Sequence, residues 1–273
     1  MSQPHDRRVQ EIALQRITGD ARQADRDLLA TEEPLEIRIQ DRSIAVVMRT
    51  PGEDRELAAG FLVTEGLVRS PDDIIDILPC SPDSASPNVI RVRLSRPDSL
   101  DLERLTRHVF TSSSCGICSK ASIESVRGQF PPITDDFRVA PALIRSLPAA
   151  LAGAQTNFQR TGGLHACGLF DTNGQLHVVR EDVGRHNALD KLVGWAFLRN
   201  LLPLRRHLLL LSGRVSFEMM QKALAAGIPL VAALSAPTSL AVEFAHESGQ
   251  TLIGFLRDEK MNVYAGSDRL ALT

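Results

Sequence analysis

Aromatic side chains are scarce in this chain, at 4% of its 273 residues, with one Trp and one Tyr. A surface that stacks nucleobases needs more of them, so a nucleic-acid partner is not expected. Neither charge sign is in excess. Lys and Arg total 31 against 33 Asp and Glu, a net charge of −2 that gives no general pull towards polyanions or anionic membranes. No stretch reaches the roughly 20 apolar residues of a membrane span. The opening residues Met1 to Arg8 lack the apolar core of a secretory signal, and no such core follows the Arg7-Arg8 pair. A cytoplasmic location is therefore expected. Only 4 cysteines are present, and two of them share one motif. That usage fits a reducing compartment better than a disulfide framework. The G-x-x-x-x-G-K-[ST] loop and the G-x-G-x-x-G fingerprint are both missing, which excludes ordinary P-loop and dinucleotide-fold readings.

What is present is ample apolar material, 43% of the chain, enough for one large domain or two smaller ones. Residues 1–33 are polar with weak periodicity and read as a mobile arm or a first irregular strand. Residues 34–110 read as a small α+β unit. Leu35, Ile37 and Ile39 alternate with polar residues, Ile44 to Met48 is nearly all apolar, and a helix is expected from Glu53 to Val68. Residues 111–273 read as an α/β domain. A helix from about Pro141 to Gln155 precedes a hairpin with an Asn173-Gly174 turn. Buried strands then alternate with helices: His207–Leu211, Phe217–Ala226, Pro229–Leu234, Thr238–Glu247, Thr251–Leu256. That order predicts a largely parallel sheet in three layers.

The motif that carries chemistry is Cys115-Gly116-Ile117-Cys118, led in by Thr111 and Ser112 to Ser114 and followed by a helical pattern from Lys120 to Val126. A thiol at a helix start is driven towards thiolate, the nucleophilic form. The spacing alone serves half a zinc site, a redox dithiol or a nucleophile with a helper thiol. It also serves two buried cysteines acting as small hydrophobes, though the serine flank argues against burial. Cys80 and Cys167 are isolated, and His165 with Cys167 does not have typical zinc-ligand spacing. Elsewhere, Ser212-Gly213-Arg214 and Ser235 to Ser239 follow predicted strands and open helices. Simple N-capping explains either one alone, but two on neighbouring strands suit phosphate. Glu181-Asp182-Val183-Gly184-Arg185-His186-Asn187 is the densest polar cluster, readable as capping or as a site wall with Asp182 and His186 handling protons. His165 follows the Gly162-Gly163 pair, which permits close backbone approach.

Taken together in order from about Pro34 to Tyr264, several segments resemble the formate dehydrogenase accessory sulfurtransferase family. They are Met48–Gly52, Glu56–Leu62, Thr64–Gly66, Cys115–Cys118, Gly162–His165, Glu181–Lys191, Ser212–Arg214 and Ala225–Ala241. The resemblance implies a cytidine deaminase-like α/β fold and a sulfur carrier that accepts sulfur from a cysteine desulfurase. The sulfur passes to the molybdenum cofactor, bis-molybdopterin guanine dinucleotide, before insertion into formate dehydrogenase. It implies a cysteine persulfide on Cys115 with Cys118 as second thiol, cofactor contacts from Phe255, Leu256, Arg257, Asp258, Glu259 and Lys260, a homodimer, and no resident metal. Asp258 and Glu259 are awkward neighbours for a pyrophosphate, and the H-x-E signature of deaminases is not evident because Ala166-Cys167 follows His165. A zinc-dependent deaminase-like enzyme and a non-catalytic cofactor chaperone are the alternatives.

Overall fold

A computed structural model describes residues 6–79, 88–97 and 129–271. Cys115, Cys118, Cys80, the helix expected after Cys118 and the boundary drawn at residue 110 lie outside the described residues.

The chain opens with an antiparallel ribbon, β1 (Val9–Thr18) and β2 (Ala21–Ala30), paired over its whole length and turned at Gly19-Asp20. The arm expected here is therefore a regular hairpin. Its side chains are nearly all exposed, so no buried face imposes the alternation by which a strand is read. A four-stranded sheet follows in the order β4-β3-β6-β5, built from β3 (Glu33–Ile39), β4 (Arg42–Arg49), β5 (Ile74–Pro79) and β6 (Val89–Leu94). One face of this sheet, with Leu35, Ile37, Ile39 and Val92, is buried together with Leu57, Ala58 and Leu62 of α1 (Asp54–Thr64). The helix stops four residues short of the expected Val68. Gly66 takes φ +72°, and Leu67 N–H donates to the Leu62 carbonyl at 2.8 Å, which closes a Schellman turn.

The larger unit begins with α2 (Pro141–Ala154) and α3 (Thr156–Thr161). It continues through β7 (His165–Asp171), β8 (Leu176–Asp182), α4 (Arg185–Phe197), β9 (His207–Leu211) and α5 (Phe217–Ala225). It closes with β10 (Leu230–Ala233), α6 (Ser239–Ser248), β11 (Thr251–Arg257) and β12 (Lys260–Ala265). The strands form a six-stranded sheet in the order β12-β11-β10-β9-β7-β8. Only β9, β10 and β11 run parallel; β7, β8 and β12 are antiparallel to their neighbours. The expected largely parallel sheet is thus mixed, because the β7–β8 and β11–β12 connections are short hairpins, and a hairpin can only join antiparallel strands.

The three layers are visible in the strand alternation. Leu209, Leu211, Val231, Ala233 and Leu252 share a core with α4, α5 and α6. Leu208, Leu210, Leu230, Ala232 and Ile253 share the other with Ile144, Leu147 and Leu151 of α2. The first core runs on without a break through α1 into the four-stranded sheet. Among the described residues no helix is long and apolar enough to cross a membrane.

Candidate functional site at the strand ends

The carboxyl ends of β9, β10 and β11 are stitched into one edge. Val215 N–H donates to the Ala236 carbonyl at 3.1 Å, Thr238 N–H to the Val215 carbonyl at 2.9 Å, and Phe255 N–H to the Ser235 carbonyl at 3.1 Å. Close packing here depends on Gly254, where a Cβ would lie 2.8 Å from the Pro237 ring and 3.2 Å from the Ser235 carbonyl oxygen. The two Ser-rich turns and the Phe255–Lys260 segment are therefore neighbours.

The site gains His165 from β7. Ser212 Oγ accepts from Ala166 N–H at 2.9 Å, which ties the start of β7 to the end of β9. Gly213 faces the His165 ring so closely that a Cβ there would lie 3.0 Å from Nδ1. His165 is also the ladder partner of Asp182, so the turn into α4 lies beside it. Burial pushes the His165 pKa down, and Arg185, His186 and Arg214 push it the same way against Asp182. Four cationic or imidazole side chains thus converge at this edge from three elements.

His186 Nε2 lies 2.7 Å from Glu218 Oε2, at ion-pair distance though off the N–H axis. Burial pushes the Glu218 carboxyl up, but His186, Lys222 and Arg185 together outweigh it, and its pKa is lowered. Sequence reasoning missed Glu218 and Lys222. The signal was a pair of opposite charges one turn apart on a helix that is otherwise apolar on its buried side.

Much of the polar cluster after β8 proves structural. Asp182 is fully buried and accepts from Gly184 N–H at 2.8 Å, Asn187 Nδ2 at 3.0 Å and Thr50 N–H at 3.1 Å, with Lys191 Nζ at 2.8 Å. Lys191, also fully buried, donates to the Thr50 carbonyl at 2.9 Å. Asn187 reaches the Met48 carbonyl at 2.7 Å. Asp182 is therefore saturated and locks the two sheets together. Glu181 caps α3 through Asn157 and Phe158 N–H groups at 3.0 and 2.8 Å. Arg49, almost wholly buried, forks onto Asp54 at 2.9 and 3.2 Å. Lys222 Nζ meets both Asp190 oxygens and Thr64 Oγ1, each at 2.9 Å. These networks account for the Arg49, Thr50, Thr64 and Asp182–Lys191 segments singled out in the sequence.

Of the residues implied for cofactor contact, Leu256 is fully buried in the α2-side core, and Phe255, Arg257, Asp258, Glu259 and Lys260 are exposed. Phe255 and Asp258 sit at φ +51° and +47°, marking the irregular hairpin between β11 and β12. Glu259 reaches Arg145 of α2 at 3.2 Å. Cys167 is buried on β7 with its pKa driven up, first by burial and then by Asp190 and Asp182. It is a core thiol. Among the described residues no group of three His, Cys, Asp or Glu is placed to hold a metal ion.

The chain as a whole has known relatives. Residues 30–271 match the FdhD/NarQ family. The chain belongs to that family. A sulfur carrier protein FdhD from Streptomyces avermitilis is 53% identical over 253 residues, 90% of each chain. Another from Mycobacterium tuberculosis is 47% identical over 256 residues, 89% of this chain and 92% of the relative. One from Saccharolobus solfataricus is 40% identical over 266 residues, 96% and 98% of the two chains. A solved structure from Desulfotalea psychrophila, assigned as a formate dehydrogenase accessory protein, superposes with a TM-score of 0.76. It is 28% identical and covers 96% of this chain and 99% of its own. The family match begins where β2 ends, whereas the alignments to the Saccharolobus relative and to the solved structure, each covering 96% of this chain, extend into the ribbon.

Proposed function

We propose that this chain is a sulfur carrier in the maturation of formate dehydrogenase. The observation that supports this most is the joint one: a C-x-x-C motif with a hydroxyl-rich lead-in, in a chain about half identical over nine-tenths of its length to proteins named as sulfur carriers. In this reading the Cys115 thiolate attacks the terminal sulfur of a persulfide on a cysteine desulfurase. The donor's S–S bond breaks, a new one forms on Cys115, and the donor thiolate leaves and takes up a proton. The carrier then hands that sulfur to bis-molybdopterin guanine dinucleotide, bound as substrate at the strand-end edge with the Phe255–Lys260 segment on one side: the Cys115 S–S bond breaks, Cys115 leaves as thiolate, and the molybdenum centre of the substrate supplies the electron pair of the new bond to sulfur. Cys118 is the second thiol of the motif. The protein acts in the cytoplasm as a sulfurtransferase and a homodimer, with no resident metal.

The test is complementation. In a strain lacking this protein, Cys115→Ala should accumulate to the level of the unaltered chain yet fail to restore formate dehydrogenase activity. Full restoration would sink the carrier role and leave a chaperone that delivers cofactor without sulfur chemistry.

A further inference from the structure

His186 and Glu218 stand apart from the networks that lock the sheets. The Lys222 lock closes without Glu218, because Nζ already meets both Asp190 oxygens and Thr64 Oγ1 at 2.9 Å, with Glu65 at 3.8 Å. Asp182, the other acid near this turn, has its oxygens filled by Lys191, Asn187 and backbone N–H groups. Glu218 is nonetheless only 7% exposed, and a carboxylate is costly to bury unless it is paired. Its one close partner among the described residues is His186, at 2.7 Å.

We infer that His186 is the proton-transfer group of the strand-end edge, positioned by Glu218, and that it serves a thiol or persulfide presented there. Three observations carry this inference. First, the two ring nitrogens are divided. Nε2 is shut off from solvent and faces the Glu218 carboxylate, whereas the side chain as a whole keeps 20% of its surface exposed. Nδ1 has no partner among the described residues and is not sealed off, so it opens to solvent. A nitrogen that close to a carboxylate carries the hydrogen, which leaves the lone pair on Nδ1. Second, the pairing is particular to this histidine. Among the described residues the next nearest histidine to a carboxylate is His177, 3.9 Å from Asp171. Third, His186 lies at the edge where the other site groups meet. The turn that holds it is tied to His165 by the Asp182 ladder pair, and His165 faces Gly213.

The charged groups around the imidazole are Glu218 and Lys222 of α5, Arg185 of its own helix, His165 of β7, Asp182 of β8 and Arg214 after β9. Burial raises the Glu218 pKa, but His186, Lys222 and Arg185 outweigh it, so the positioning group is a carboxylate at neutral pH. The step balances without a further reagent. Nδ1 takes the proton of the carrier thiol, and the thiolate attacks the terminal sulfur of a donor persulfide. The donor's S–S bond breaks as the new one forms, and its electron pair leaves with the donor thiolate. The imidazolium, stabilised by Glu218, returns the proton from Nδ1 to that thiolate. No net oxidation or reduction occurs.

This inference rests on the sulfur-carrier reading, and its test separates the two. The full chain is mixed with glutathione persulfide, and the rate of the persulfide mass gain is followed from about pH 5.5 to about pH 9, across the imidazole and thiol ranges. His186→Gln, whose amide can still meet Glu218, should slow the gain about 100-fold near pH 6.5. That deficit should shrink to about 3-fold or less near pH 9, above the ordinary thiol pKa of about 8.5, where the thiol sheds its proton unaided. Glu218→Gln should slow the gain about 10-fold or more near pH 6.5, through loss of orientation. Free imidazole should restore the rate in His186→Ala and leave the unaltered chain as it is. His177→Gln, at the opposite end of β8, should match the unaltered chain. A deficit in His186→Gln that is the same at every pH, with no rescue by imidazole, would make the pair a structural link between α4 and α5 and overturn the inference. An unchanged rate in His186→Gln would overturn it too and leave the carrier reading standing. No gain in the unaltered chain, with the donor shown to be active on a small thiol, would overturn the carrier reading and the proton role with it.

Discussion

Gly60 of α1 and Gly194 of α4 cross backbone to backbone. A Cβ on Gly60 would lie 1.8 Å from the Asp190 carbonyl oxygen, and one on Gly194 would lie 1.8 Å from the Glu56 carbonyl oxygen. The contact is reciprocal, and it sets how closely the four-stranded sheet approaches the layer of helices below it. Asp190 and Glu56 each belong to a polar network, through Lys222 and Arg180 respectively, so the crossing also fixes those networks.

Because neither backbone can yield, Gly60→Ala and Gly194→Ala should each destabilise the fold by about 3 kcal/mol or more, the upper range for overpacking. Equilibrium urea unfolding measures this. A loss below about 1 kcal/mol in both variants would mean that the helices are free to separate.

Lys191→Ala should cost about 3–5 kcal/mol, because it leaves the fully buried Asp182 carboxylate without its countercharge. The paired replacement Asp182→Asn with Lys191→Met should recover part of that loss. A thermal melt of the two variants decides it, and equal losses would show that charge pairing is not the cause.

Acid should weaken the protein in two stages. The pKa values of His165 and His207 are both lowered from 6.5, chiefly by burial. Between 6.5 and the lower folded values the unfolded chain binds more protons, so stability falls as pH drops below about 6.5. Glu218, lowered from 4.5, adds a second loss as pH falls below that value through its folded pKa. The melting temperature should therefore decline from pH 7.5 to 5.5 in the unaltered chain and decline less in His207→Gln. An unchanged slope in His207→Gln would contradict the assignment.

Cys167 should resist alkylation in the folded protein. It is 1% exposed and its thiolate is disfavoured by burial. Mass mapping after brief iodoacetamide treatment should find it unlabelled in buffer and labelled in denaturant. Labelling in buffer would make it a competitor of the motif cysteines.

The apolar strands β9, β10 and β11 and the hairpin at Asn173-Gly174 were all legible in the sequence. Each is a local pattern, either a continuous apolar run or a glycine at a left-handed position. The β1–β2 ribbon was not, since strands exposed on both faces carry no alternation. The antiparallel direction of β7 against β9 was not legible either, because direction is decided by long-range pairing. At the site, His165, Arg214 and the Ser212 and Ser235 turns could be named from their positions after strands. Their convergence could not, nor could the saturation of Asp182 by groups up to 132 residues distant. Glu218 was marked only by the opposite charge of Lys222 one turn away, and its meaning shows when His186 is seen beside it.

The central claim is tested most directly by weighing the intact protein after incubation with a cysteine desulfurase and cysteine. A gain of about 32 Da per sulfur atom is expected, the mass of the transferred sulfane sulfur. It should be lost on reduction, absent in Cys115→Ala and retained in Cys167→Ala. No gain in the unaltered chain, with the desulfurase shown to be active on another acceptor, would contradict the account.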